Sequence, residues 1–149
     1  MRLAVASDHG GYEVKQTLIE YLKKQKIEVI DLGTNGPDSV DYPDFASEVA
    51  EQVSRGFVDG GVLACGTGIG MCIVANKFKN VRAAVVFDEY TARMSKEHNN
   101  ANVLCLGGRI RQTEEAKKLV TIWLTTPYAG GRHARRLTKI SEIEKKNLK

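Results

Sequence analysis

Five short apolar runs alternate with segments of helical period along this chain, and that alternation constrains the fold more than any other feature. The runs cover residues 2–7, 27–32, 62–65, 80–87 and 103–108. In residues 12–24, Val14, Leu18, Tyr21 and Leu22 recur at three-and-four spacing, the mark of an amphipathic helix. The same spacing links Phe45, Ala46, Val49, Ala50 and Val53 in 45–55, a helix that Pro43-Asp44 is expected to precede. It links Ile69, Cys72, Ile73 and Asn76 after the third run, and Ala116, Leu119, Val120 and Trp123 in 113–125. Asp88 is the expected cap of a fourth helix that runs to His98, and Asn99 to Asn102 break it. Runs that are apolar throughout imply burial on both faces, hence a parallel sheet covered by helices. The expected fold class is therefore α/β.

At 149 residues, 42% of them hydrophobic and 27% charged, the chain has the make-up of one ordinary globular domain, 1–149. Its net charge of +4 is concentrated from Arg132 onward. A basic end suits nucleic acid, an acidic membrane surface or a small phosphorylated ligand. No aromatic platform accompanies the arginines, and Asp8 would oppose an extended polyanion, so no nucleic-acid partner is expected. No apolar run approaches the length of a membrane span, so no membrane partner is expected either. The tail, 131–149, is helix-compatible with a thin apolar stripe at Leu137, Ile140 and Ile143, expected to pack on a partner subunit or the domain surface. The cysteines Cys65, Cys72 and Cys105 are odd in number and lack metal-ligand spacing, and no secretory segment is expected before Met1. A reducing, cytoplasmic setting and no metal are the expectations.

In open parallel sheets ligands bind at the carboxyl ends of the strands. Asp8 and His9 follow the first run. Cys65 ends the third, and Gly66-Thr67-Gly68-Ile69-Gly70 follows it. Gly107, Gly108 and Arg109 follow the fifth. A glycine-rich strand-to-helix turn gathers backbone N–H groups and favours an anion, and the same field would favour a thiolate at Cys65. Taken alone, such a turn suits a dinucleotide, a phosphate or no ligand at all, and its glycines lack the dinucleotide-binding spacing. His98 falls at a helix C-terminus, where the dipole favours the protonated ring and so a proton donor. His133 lies among arginines and reads as a surface residue. Arg132 and Arg136 share a helix face; with Arg109 they form either a phosphate clamp or part of a solvated basic tail.

Read together, these motifs stand in a recognisable order: Asp8-His9-Gly10-Gly11, Cys65 to Gly70 with Asn76-Lys77, Glu97-His98-Asn99-Asn100-Ala101-Asn102, Gly107-Gly108-Arg109, and Arg132-His133 with Arg135-Arg136. The whole chain resembles ribose-5-phosphate isomerase type B, of the wider ribose/galactose isomerase family. With Cys65 present and an apolar Met71, it is similar to the cysteine subgroup rather than to the one that places a glutamate base at position 71.

The resemblance implies a Rossmann-like three-layer α/β/α sandwich with a five-stranded parallel sheet. It implies a homodimer, sometimes paired into tetramers, whose sites draw residues from both subunits. The implied reaction interconverts ribose 5-phosphate and ribulose 5-phosphate in pentose phosphate metabolism, without metal or cofactor. Cys65 matches the proton acceptor and His98 the proton donor that opens the furanose ring. Asp8, His9, Gly66, Thr67, Gly68, Ile69, Gly70, Asn99, Arg109, Arg132 and Arg136 match substrate-binding positions. Isomerisation needs one base near C2 and C1 of the open-chain sugar and donors for the enediolate oxygen. The turn amides and the Thr67 hydroxyl are expected to supply those donors. An isomerase for a hexose phosphate such as allose 6-phosphate, and a non-enzymatic nucleotide-binding module, remain the alternatives at this stage.

Overall fold

The computed structural model describes residues 1–110 and 112–148. Strands β1 (Arg2–Ser7), β2 (Glu28–Asp31), β3 (Gly60–Cys65), β4 (Ala83–Val85) and β5 (Val103–Gly107) form one sheet in the order β2-β1-β3-β5-β4. Every pairing in it is parallel. The helices are α1 (Tyr12–Lys24), α2 (Tyr42–Ser54), α3 (Ile69–Ala75), α4 (Glu89–Glu97), α5 (Thr113–Thr125) and α6 (Arg132–Asn147), with a 3₁₀ turn at His9–Gly11. The chain runs outward from β1 to β2, then returns to β3 on the other side of β1. That reversal opens a crevice above the carboxyl ends of β1 and β3.

Successive strand residues face opposite layers, and the two layers differ in side-chain size. Leu3 and Val5 meet Val14, Leu18 and Leu22 of α1 and Leu119, Val120 and Trp123 of α5, with Ala92 of α4 on the same side. Ala4 and Ala6 meet Val49 and Ala50 of α2 and Met71 and Ala75 of α3. The small residues of the second layer let α2 approach closely: a Cβ at Gly61 would lie 2.4 Å from Val49 Cγ1. Each fully buried leucine or valine contributes about 1.5–3 kcal/mol, so these two layers hold the sheet that carries the site.

Four expectations are corrected. Helix α2 begins at Tyr42 because Pro43 occupies the first turn, where its missing N–H costs nothing. Strand β4 is only Ala83–Val85. Its lead-in leaves the ladder: Asn80 has φ 64°, and the Arg82 N–H donates to Asn102 Oδ1 at 2.7 Å. The edge strands β2 and β4 are partly exposed rather than buried on both faces. Helix α3 turns the opposite face inward: Met71 and Ala75 are buried, whereas Ile69 and Ile73 are 55% and 58% exposed. Its sequence is apolar on every side, so spacing alone selects no face.

Candidate active site

Three strand-end loops meet above β1, β3 and β5. Asp8 caps the first: its Oδ1 accepts from the Gly10 N–H at 2.8 Å and the Gly11 N–H at 3.2 Å. The third is tied to the second by backbone bonds, Gly108 N–H to Cys65 O at 2.7 Å and Arg109 N–H to Gly66 O at 3.1 Å. Backbone packs on backbone here. A Cβ at Gly108 would stand 2.4 Å from the Gly10 carbonyl oxygen. The Arg109 side chain lies across Gly66, its Nη1 3.2 Å from where a Cβ would be. Asp8, His9, Cys65, the glycine turn and Arg109 therefore share one crevice.

Cys65 is buried at the end of β3, with 4% of its surface exposed. Its Sγ accepts a hydrogen bond from the Gly68 N–H at 3.1 Å. Gly68 has φ 82°, a left-handed conformation that suits glycine and turns its amide back onto the sulfur. The Ile69 N–H donates to Thr67 Oγ1 at 3.2 Å, which leaves the exposed Thr67 hydroxyl its own proton to donate. Two of the turn's amides are thus engaged within the turn, instead of all pointing at the crevice. His9 Nδ1 accepts from the Val40 N–H at 3.2 Å, so Nε2 is its other face. A cavity of about 720 Å³ lies beside this crevice, lined by His9, Gly10, Tyr12, Gly108, Arg109 and Gln112, among others. Tyr42 was not foreseen: a Cβ at Gly70 would lie 2.6 Å from its ring. Nothing local in the sequence signals that contact, because α2 delivers it from a distant segment.

A second cluster forms at the other edge of the sheet. His98 ends α4, and its ring stacks on His133 with centroids 4.2 Å apart and planes 15° from parallel. Glu97 lies 3.8 Å from His98 Nε2. The Ala129 N–H donates to Glu97 O at 3.0 Å, and Gly130 and Gly131, both at positive φ, turn the chain into α6. His133 is therefore not the surface residue its sequence context suggests; it is 8% exposed. Burial, His98, Arg132 and Arg136 all push its pKa below the usual histidine range. Asn99, Arg132 and Arg136 are exposed around this pair.

The two clusters are far apart within one chain. Register pairs Gly61 with Val103 at one edge and Cys65 with Gly107 at the other. Four residues of strand span about 13 Å. His98 precedes Val103 by way of Asn102, whose carbonyl accepts from the Gly61 N–H at 2.9 Å. One chain does not bring Cys65 to His98, nor Arg109 to Arg132 and Arg136, because α4 ends and α6 begins at the edge where β5 starts. Among the described residues, no three His, Cys, Asp or Glu side chains are grouped to hold a metal ion. No helix of the described residues is long and apolar enough to cross a membrane.

Residues 3–140 match the family model described as Ribose/Galactose Isomerase. The chain is 44% identical to ribose-5-phosphate isomerase B of Escherichia coli K12 over 145 residues, 97% of each protein. It superposes on Clostridium thermocellum ribose-5-phosphate isomerase B with a TM-score of 0.96 at 52% identity, covering 98% of this chain and 99% of the other. The Mycoplasma genitalium enzyme of the same name, solved with bound ribulose 5-phosphate, gives a TM-score of 0.95 at 45% identity, covering 98% and 97%.

Proposed function

The chain belongs to the ribose/galactose isomerase family, and on that footing we propose that it interconverts ribose 5-phosphate and ribulose 5-phosphate. The observation that carries the mechanism is the Cys65 sulfur, held by the Gly68 amide in a crevice where Arg109 supplies a cation. Cys65 is the base. Its thiolate takes the C2 proton of the open-chain aldose, the C–H electron pair becomes the C1–C2 double bond, and O1 takes the charge. Return of that proton to C1, as the O2 proton passes to O1, gives the ketose. The Thr67 hydroxyl and the amides of the turn from Gly66 to Gly70 that are not engaged within it hold the enediolate oxygen, each preorganised donor being worth roughly 3–4 kcal/mol.

Ribose 5-phosphate enters largely as a furanose, so its ring must open first. His98 protonates the ring oxygen as the bond to C1 breaks, and Asp8, the helper across the crevice, takes the anomeric hydroxyl proton as O1 becomes the C1 carbonyl. Proton transfer needs heavy atoms within about 3 Å, far less than the separation of Cys65 and His98 in one chain. The working enzyme is therefore a homodimer, in which one chain brings Asp8, His9, Cys65, the turn and Arg109. Its partner brings His98, Asn99, Arg132 and Arg136. The apolar residues left exposed on α3 and α6, Ile69, Ile73, Ile140 and Ile143, are the surface such a partner covers. His9 Nε2 and the three arginines receive the phosphate. Three free thiols suit a reducing, cytoplasmic setting.

Nothing in the site favours a nucleotide or a hexose phosphate over this reading. Replacing Cys65 with Ala or Ser tests it. Turnover in both directions should fall by at least about 100-fold, the scale of a lost catalytic base, while inorganic phosphate still binds. Near-normal turnover would remove Cys65 from that role.

A further inference from the structure

Arg82 takes no part in the mechanism above, yet its side chain is committed to the loop that follows His98. Its Nε donates to Asn99 O at 3.2 Å and Asn100 O at 3.1 Å, and its Nη2 donates to Asn100 O at 3.0 Å. Asn100 has φ 44°, a left-handed conformation that a non-glycine residue keeps only when its surroundings hold it. The fork of the guanidinium matches two successive carbonyls in a way that an ammonium does not.

The Arg82 backbone is fixed as well. Its N–H donates to Asn102 Oδ1 at 2.7 Å, and Asn102 Nδ2 donates to Asn80 O at 2.7 Å. The Asn80 N–H in turn donates to Glu144 Oε1 on α6 at 2.7 Å. A continuous set of hydrogen bonds thus joins α6, the lead-in to β4 and the backbone of Asn99 and Asn100. His98 is confined from two sides, by the His133 ring and by this clamp on the residues that follow it.

We propose that Arg82 is a positioning residue for ring opening: it holds the Asn99–Asn100 backbone that directly follows His98, so that His98 reaches the substrate of the other chain. The inference rests on the reading of His98 as the ring-opening donor. Two reactions of one substrate separate that role from a general loss of activity. Ribulose 5-phosphate forms no furanose, because its C5 oxygen carries the phosphate, so Cys65 can exchange a C1 hydrogen of the bound ketose with solvent without any ring step. A ring-opening defect, which by microscopic reversibility is also a ring-closing defect, therefore lowers conversion to ribose 5-phosphate more than that exchange.

The experiment incubates ribulose 5-phosphate in deuterium oxide with the full-length protein and with Arg82→Gln, Arg82→Lys and His98→Asn, and follows deuterium entry at C1 and conversion to ribose 5-phosphate by NMR. For Arg82→Gln conversion should fall by about 10- to 100-fold, the range that a small misplacement costs, and deuterium entry by clearly less. Arg82→Lys, which can reach one carbonyl but not grip two, should fall between it and the parent. An equal fall in both rates, or none, would overturn the inference. Should Arg82→Gln fail to fold, the two rates in Arg82→Lys decide. If His98→Asn loses both rates equally, the reading of His98 fails and this inference with it. If His98→Asn loses conversion more than exchange and the Arg82 variants do not, only the role of Arg82 is lost.

Discussion

Cys65 and His98 lie toward opposite ends of the β3–β5 pair, whose paired strands run about 13 Å from Gly61 to Cys65. A parallel sheet makes this unavoidable. Cys65 closes a strand, whereas His98 closes the helix that returns the chain to the start of the next one. The two ends carry different chemistry: a buried thiol with amides at one, a stacked histidine pair with exposed arginines at the other. In the proposed dimer each is half of a site.

The phosphate reading assigns the arginines to binding. Arg136→Ala should raise the KM for ribose 5-phosphate by roughly 10- to 100-fold, the scale of a lost charge-assisted hydrogen bond. The exposed side chain has little packing to lose, so the melting temperature should stay close to the parent's. Steady-state kinetics and a thermal melt check both; an unchanged KM would return Arg136 to a solvated face.

The contact between the first and third loops is backbone on backbone, so it tolerates no added atom. Gly108→Ala places a Cβ 2.4 Å from the Gly10 carbonyl oxygen and 3.0 Å from Gly11 Cα. Overpacking of this kind costs about 1–3 kcal/mol. Parting the loops moves Arg109 away from Cys65, and kcat/KM should fall by about tenfold or more. Denaturant melts and kinetics measure the two effects separately.

The stacked histidines predict a pH dependence of stability. His133 has its pKa lowered in the folded chain, chiefly by burial. The unfolded chain therefore binds a proton at this residue more readily. Stability attributable to His133 is complete above its unfolded pKa of about 6.5 and is lost as pH falls from there toward the folded value. His133→Phe keeps a ring against His98 and removes the proton. Its melting temperature should decline less steeply than the parent's between about pH 7 and pH 5; parallel curves would contradict the assignment.

Much of this was legible in the sequence. The limits of β1, α1 and α5 follow from apolar runs and helical spacing, and they agree with the structure to the residue. The convergence of Asp8, Cys65 and Arg109 follows from their places after parallel strands. Helix α3 was misread because Ile69-Gly70-Met71-Cys72-Ile73-Val74-Ala75 is apolar all round, and only tertiary packing selects Met71 and Ala75. His133 and Arg82 were missed for a related reason. The ring of one and the guanidinium of the other find their partners through the Gly130-Gly131 turn and the Asn100 backbone, neither of which has a periodic signature.

The central claim is that a working site joins Cys65 of one chain to His98 of another, and subunit mixing tests it most directly. Cys65→Ala and His98→Asn chains, each nearly inactive alone, are combined in equal amounts, exchanged through mild denaturant and assayed on ribose 5-phosphate. Random pairing makes about half of the dimers hybrid, and each hybrid holds one intact site of its two, so activity should recover to about one quarter of the parent's. Should each chain carry its own complete site, every site in the mixture would keep a defect. Activity no higher than the sum of the two variants would then contradict the account.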